Sequence, residues 1–143
     1  IKTIQIDHIV ITTAGIFIIE TKNWSTQSIN NKELKSPVTQ INNLKYALSI
    51  LLNKSIQLKW SVNNHHWGNQ KTPIRNIIVL INQKPEEKFN YVKICSLNEI
   101  NAYIEWFNTE TQKVIYTPSQ VEKIANYLLK INNLKTVNSK LKN

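Results

Sequence analysis

Three ionisable residues stand inside apolar runs near the start of this 143-residue chain: Asp7, Glu20 and Lys22, in the stretch IDHIVITTAGIFIIETKN. If Thr12-Thr13-Ala14-Gly15 closes a hairpin with Ile11 opposite Ile16, then Ile9 faces Ile18 and Asp7 faces Glu20. Side chains alternate along a strand, so Asp7, Glu20 and Lys22 then share one side. The other side carries Ile6, His8 and Val10 against Thr21, Ile19 and Phe17, with His8 expected among the core residues. Facing residues hold their Cβ atoms about 4.5–5.5 Å apart, and like charges placed so repel. Something positive must lie between them. Lys22 is one candidate. A hard divalent cation such as Mg²⁺ is another, since it takes one or two carboxylates together with waters and a phosphate.

Two readings of the trio follow. In the first, Asp7 and Glu20 hold a metal that neutralises phosphate charge and helps ionise a water, and Lys22 orients or deprotonates that water. In the second, Glu20 and Lys22 form a solvated pair on an edge strand and Asp7 is a strand-end charge. A bulge at Gly15 would shift the facing pairs by one.

The elements that must position the trio can be read from patterning. Strands are expected over Ile4–Ile11 and Gly15–Lys22, both apolar on two faces. Asn23–Lys35 is polar and irregular, with a short strand considered at Gln27–Asn30. Ser36-Pro37 has the form of a helix start, Ser as N-cap and Pro in the first turn. Val38, Ile41, Leu44, Leu48, Leu51 and Leu52 then give one apolar face up to about Asn53. Leu58–Asn69 mixes a candidate strand with a loop. NIIVLI (Asn76–Ile81) and Tyr91–Cys95 are expected strands, separated by a turn at Lys84–Glu87. Ser96 with Glu99, and Thr117 with Gln120, are capping boxes that open two further helices. The first runs to about Phe107. The second carries Val121, Ile124, Leu128 and Ile131 on one face, and its end after Asn132 is expected to fray. The order is strand, strand, helix, strand, strand, helix, helix: an α/β or α+β domain with helices on a mixed sheet.

Composition narrows the function. Hydrophobic residues make up 41% of the chain and charged ones 19%, enough apolar content for a packed core. The formal net charge is +9. Such charge favours a polyanion, above all nucleic acid. It is equally compatible with a Lys- and Asn-rich composition bias, for the chain has 17 Lys, 20 Asn and one Arg, Arg75. A single Arg argues against base-specific readout. Cys95 is the one cysteine, so no internal disulfide forms, as suits a reducing cytoplasmic setting. It is expected to be a buried, inert thiol. No apolar run reaches the ~18 residues of a membrane span. The lack of Met and the start inside an apparent strand suggest a fragment of a longer chain, with residues 1–143 forming one domain. His65-His66 are adjacent and so diverge on a strand, which makes a surface loop the better reading than a metal site. Trp60, Trp67 and Trp106 read as packing residues.

The opening stretch closely resembles the nuclease-related domain family, within the PD-(D/E)xK, restriction-endonuclease-like superfamily. Gln5 to Val10 match its Ile-Asp-His segment. Gly15, Ile16, Phe17, Ile19, Glu20, Lys22 and Asn23 match its Gly turn and Ile-Phe-x-Ile-Glu-x-Lys-Asn segment. Ser36-Pro37-Val38-Thr39-Gln40 stands where the family has Asn-Pro-x-x-Gln. The resemblance implies Asp7 and Glu20 as metal ligands with the Thr21 carbonyl as a third, Lys22 as the catalytic base or water-positioning group, and Gln40 assisting. It implies a Mg²⁺- or Mn²⁺-dependent nuclease acting on nucleic acid, DNA ahead of RNA, with no membrane association and with homodimer formation as in many restriction-like folds. The alternative is a non-catalytic nucleic-acid or protein binding module. Two departures bear on activity: the family's earlier helix, which usually supplies another Glu, would precede residue 1, and Trp24-Ser25-Thr26 replaces its usual Gly and Trp pattern.

Overall fold

A computed structural model of the protein describes residues 5–23, 31–54, 73–81, 92–109 and 114–141, with the side chains of 31–36, 54 and 133–141 left out. Among the described residues the strands are β1 (His8–Thr12), β2 (Gly15–Lys22), β3 (Ile74–Leu80) and β4 (Val92–Ser96). The helices are α1 (Asn31–Lys54), α2 (Ile100–Thr109) and α3 (Pro118–Leu141). They follow the order expected from patterning. The sheet order is β1-β2-β3-β4, with β1 antiparallel to β2 and the other neighbours parallel. This is a mixed sheet of the α+β class. The candidate strands at 27–30 and 58–69, the turn at 84–87, His65, His66, Trp60 and Trp67 lie outside the described residues.

The β1–β2 register is the expected one: Ile11 pairs with Ile16, Ile9 with Ile18, and the last pair is His8 with Ile19. No bulge shifts it. Gly15 has φ +134°, a value that side-chain-bearing residues rarely adopt. A Cβ there would also lie 2.8 Å from the Arg75 guanidinium and 3.3 Å from the Pro73 carbonyl. Thr12 supports the turn by accepting the Ala14 N–H through its hydroxyl at 3.1 Å.

Both faces of the sheet are covered, which is why its strands are apolar throughout. On one face Ile16, Ile18, Ile74, Ile78 and Leu80 pack with Ile41, Leu48 and Leu52 of α1 and Ile124 of α3. On the other, Phe17, Ile19, Ile77, Val79 and the buried thiol of Cys95 pack with Tyr103, Ile104 and Phe107 of α2. The chain's one Arg is a structural residue. Arg75 donates to the Ala14 carbonyl at 3.0 Å, and its guanidinium stacks 4.1 Å from the Phe107 ring centre. That contact ties the hairpin turn to α2 through a cation–π interaction. Burial lowers the Arg75 pKa, but a guanidinium stays charged.

Four expectations are corrected. Helix α1 begins at Asn31, ahead of Ser36, and carries Pro37 inside it. Proline lacks an N–H, so that turn is one hydrogen bond short, and Pro37 is buried there. Strand β1 begins at His8, not Ile4, because the chain bends at Asp7. That bend breaks the alternation, so Ile6 packs on the α1 face and not beside Phe17. His8, expected in the core, is exposed at the strand's first position. Helix α3 extends to Leu141.

The capping boxes form. Glu99 accepts the Ser96 N–H at 3.0 Å, while Thr117 and Gln120 exchange bonds at 2.9 and 3.2 Å. Gly15→Ala is expected to destabilise the protein by about 1–3 kcal/mol through backbone strain and the clash with Arg75, read as a lower urea midpoint. An unchanged midpoint would mean that the turn does not hold this geometry.

Candidate active site

Strand β2 leaves the core over its last three residues. Gly15 to Ile19 are buried, whereas Glu20, Thr21 and Lys22 are half-buried. The carboxyl ends of parallel strands, where β2 and β3 both finish, are a common place for ligands in open sheets. The parallel ladder holds this end firmly. Glu20 pairs with Ile78 and Lys22 with Leu80, and the Ile81 N–H donates to the Lys22 carbonyl at 3.1 Å. Lys22 thus has a fixed backbone and a side chain on the same side as Glu20.

Asp7 reaches the site from outside the ladder. Its backbone N–H donates to Glu20 Oε1 at 3.3 Å, and its Oδ2 accepts the Thr21 N–H at 3.3 Å. Had β1 continued, the Thr21 N–H would have gone to the Ile6 carbonyl; the Asp7 carboxylate takes that place. The bend at Asp7 therefore swaps one ladder bond for two long side-chain bonds, and these draw the two acids together. In an extended strand a residue's N–H and C=O leave on the same edge. The Thr21 carbonyl accordingly faces the β1 edge beside Asp7, beyond the last β1–β2 pair.

The electrostatics follow from this crowding. Burial pushes the Glu20 carboxyl above its ordinary pKa, and the charge of Asp7 adds to the rise. The Asp7 N–H and the Lys22 ammonium act the other way without cancelling it. An ionised Glu20 is thus costly here and has use for a nearby cation. The donors are hard oxygens only, two carboxylates and a carbonyl, which suits Mg²⁺ or Mn²⁺ better than a softer metal. Among the described residues no group of three or more His, Cys, Asp or Glu gathers. Two acids and a carbonyl leave the rest of a coordination shell to water and phosphate.

The structure thus brings Asp7, Glu20, Thr21 and Lys22 together. Gln40 stands apart from their hydrogen bonds, on an exposed position of α1 next to buried Ile41. Reading the sequence gave no part at the site to Ile81, which follows the end of β3 and holds the Lys22 carbonyl with its N–H at 3.1 Å; this is a backbone contact that residue type does not signal.

The family described as the nuclease-related domain (NERD) matches residues 1–81. That is more than half of the chain, and the chain belongs to this family. No curated protein and no solved structure matches it.

A carboxyl whose pKa is raised in the fold costs stability once it ionises. Stability is lost as pH rises from the unfolded value through the folded one, and the loss is complete above both. Glu20→Gln is therefore expected to raise the melting temperature at neutral pH in chelator. The gain should vanish below the ordinary carboxylate range, where Glu20 is protonated in both states. A lower melting temperature for the variant at neutral pH would show that the ionised Glu20 stabilises the fold.

Proposed function

We propose that this nuclease-related domain hydrolyses nucleic-acid phosphodiester bonds, DNA ahead of RNA, with a divalent cation held at the Asp7–Glu20 pair. The observation that carries the reading is the mutual hold of the two acids through the Asp7 and Thr21 N–H groups, with Lys22 one residue beyond. Asp7 and Glu20 would bind Mg²⁺ or Mn²⁺ through their carboxylates, and Thr21 through its carbonyl. When bound, the cation supplies charge neutralisation at the phosphate and a more acidic water.

The chain's own groups do the rest. Lys22 projects beside Glu20 and positions the attacking water, removes its proton, or offsets charge on the phosphate oxygens. Gln40, one turn beyond Pro37, is assigned an assisting role at the phosphate through its side-chain amide. The net charge of +9 draws the polyanion in without selecting its sequence.

A second reading is favoured by one observation, the absence of a third acid at the site among the described residues. On that reading the domain binds nucleic acid or a protein partner and does not cut. The two separate in a plasmid assay. With Mg²⁺ or Mn²⁺, the full-length protein is expected to nick supercoiled DNA, and Glu20→Ala and Lys22→Ala each to lower the rate by about 10²-fold or more. Salt-sensitive DNA retention without metal-dependent nicking would establish the binding module instead.

A further inference from the structure

The acid pair depends on a stretch of chain that the sheet does not hold. The β1–β2 ladder ends at the pair His8 and Ile19, and Asp7 lies beyond it. Asp7 donates its N–H to Glu20 Oε1 and accepts the Thr21 N–H at its Oδ2, both at 3.3 Å and both exposed to solvent. Bonds of that length are weak, and water competes for each of them. They also bring two carboxyl groups together, and the charge of Asp7 helps to raise the Glu20 pKa. These contacts alone are a poor means of holding the bend at Asp7.

Ile6 supplies a better one. Of the described residues ahead of β1, Gln5 and Asp7 are exposed and Ile6 is half-buried. Its side chain packs against the cluster on the α1 face, which includes Ile18, Ile78 and Leu80. In an unbroken strand side chains alternate, and Ile6 would fall on the α2 face with Val10 and His8. Val10 packs there against the α2 cluster, but His8, nearer the chain start, is exposed. Cover on the α2 face thus thins toward that end, and a straight strand would carry Ile6 further out still. The bend moves Ile6 to the face that is covered. Burial of apolar surface is favourable and places no demand on direction, so it can select the bent chain over one more ladder bond.

We propose that Ile6 is the positioning residue of the acid pair. Its burial on the α1 face selects the bend, and the bend brings the Asp7 carboxylate to the Thr21 N–H and the Asp7 N–H to Glu20. Ile6 touches neither the cation nor the phosphate and acts only through Asp7. Its bearing on metal affinity rests on the reading of Asp7 and Glu20 as the cation's ligands. Its bearing on where Asp7 lies does not.

The test has one arm without metal and one with it. In chelator, amide exchange followed by nuclear magnetic resonance reads the Thr21 N–H, which Asp7 protects. Ile6→Ala is expected to speed Thr21 exchange by about tenfold relative to the core amides of β3, and Ile6→Val to restore most of the protection. Leu51→Ala trims another half-buried residue of the same cluster, near the far end of α1. It should leave the ratio of Thr21 to β3 exchange unchanged. In the second arm, Mn²⁺ titration followed by electron paramagnetic resonance should show binding about tenfold or more weaker in Ile6→Ala, with Ile6→Val and Leu51→Ala near the parent. The proposal is overturned if Ile6→Ala leaves Thr21 exchange unchanged, if Thr21 and β3 amides speed up together, or if Leu51→Ala has the same selective effect. Unchanged Mn²⁺ affinity in Ile6→Ala would overturn it too. A parent that binds no Mn²⁺ would contradict the cation reading instead, while the exchange arm still decides the role of Ile6. Circular dichroism of each variant secures that it is folded.

Discussion

A turn of two residues, Thr13 and Ala14, closes on the pair Thr12 and Gly15, and every residue behind it in the hairpin inherits its partner from that closure. Gly15 suits it, because residues with a side chain rarely adopt a φ of +134° and a Cβ there would crowd the Pro73 carbonyl and displace the end of Arg75. A shift of one residue would send each side chain to the opposite face. Glu20 and Lys22 would then project beneath α2, and Ile19 and Thr21 would stand where the charges now are. The charged end of β2 is thus set by backbone geometry at its apolar beginning. Arg75 secures the same turn from β3, and Phe107 of α2 covers the guanidinium that does so. Helix α2 thus bears on the hairpin both through Arg75 and through the packing of Phe17 and Ile19 against it.

Burial on both faces makes the sheet rigid and leaves little freedom where its strands end. Ile16, Phe17 and Ile18 are fully buried, and so are Ile77 and Ile78 next to them. Side chains of that size contribute about 1.5–3 kcal/mol each when removed from water, so the strand can carry an unfavourable carboxylate at Glu20 beyond them. Asp7 adds to the expense by its charge and repays part of it by its N–H. On the proposed function, a cation beside the pair would offset the cost of ionising Glu20. A plain surface ion pair has no need of the bend at Asp7.

The hairpin was legible in the sequence because its information is local. A Gly at a turn and alternating Ile on both sides settle which residues face each other, and Asp7 opposite Glu20 follows. The capping boxes at Ser96 and Thr117 were legible for the same reason, since cap and partner lie three residues apart. Longer-range effects were not. Ser36-Pro37 has the form of a helix start because proline favours first turns, but α1 runs through it from Asn31. His8 reads as a core residue only if β1 continues through Asp7, but the chain bends there, with Asp7 bonded to Glu20 and the Thr21 N–H in contacts that patterning does not encode. The role of Arg75 depends on β3 lying beside β2 with α2 above, and nothing in the spacing of Arg75 and Phe107 announces that they meet. Gln40 is indicated by the resemblance alone, and it stands at an exposed position of α1.

What the fold offers at the carboxyl end of β2 is a pair of acids, a carbonyl and a lysine, held by strands that cannot shift without unpacking the core. The central claim is that the pair exists to hold a divalent cation. The most direct measurement is Mn²⁺ binding followed by electron paramagnetic resonance, on the parent protein and on Asp7→Asn and Glu20→Gln. The account predicts saturable binding in the parent, competed by Mg²⁺ and lost in both variants while their folds persist. Parent protein that leaves all Mn²⁺ in solution, or variants that bind it as the parent does, would contradict the account.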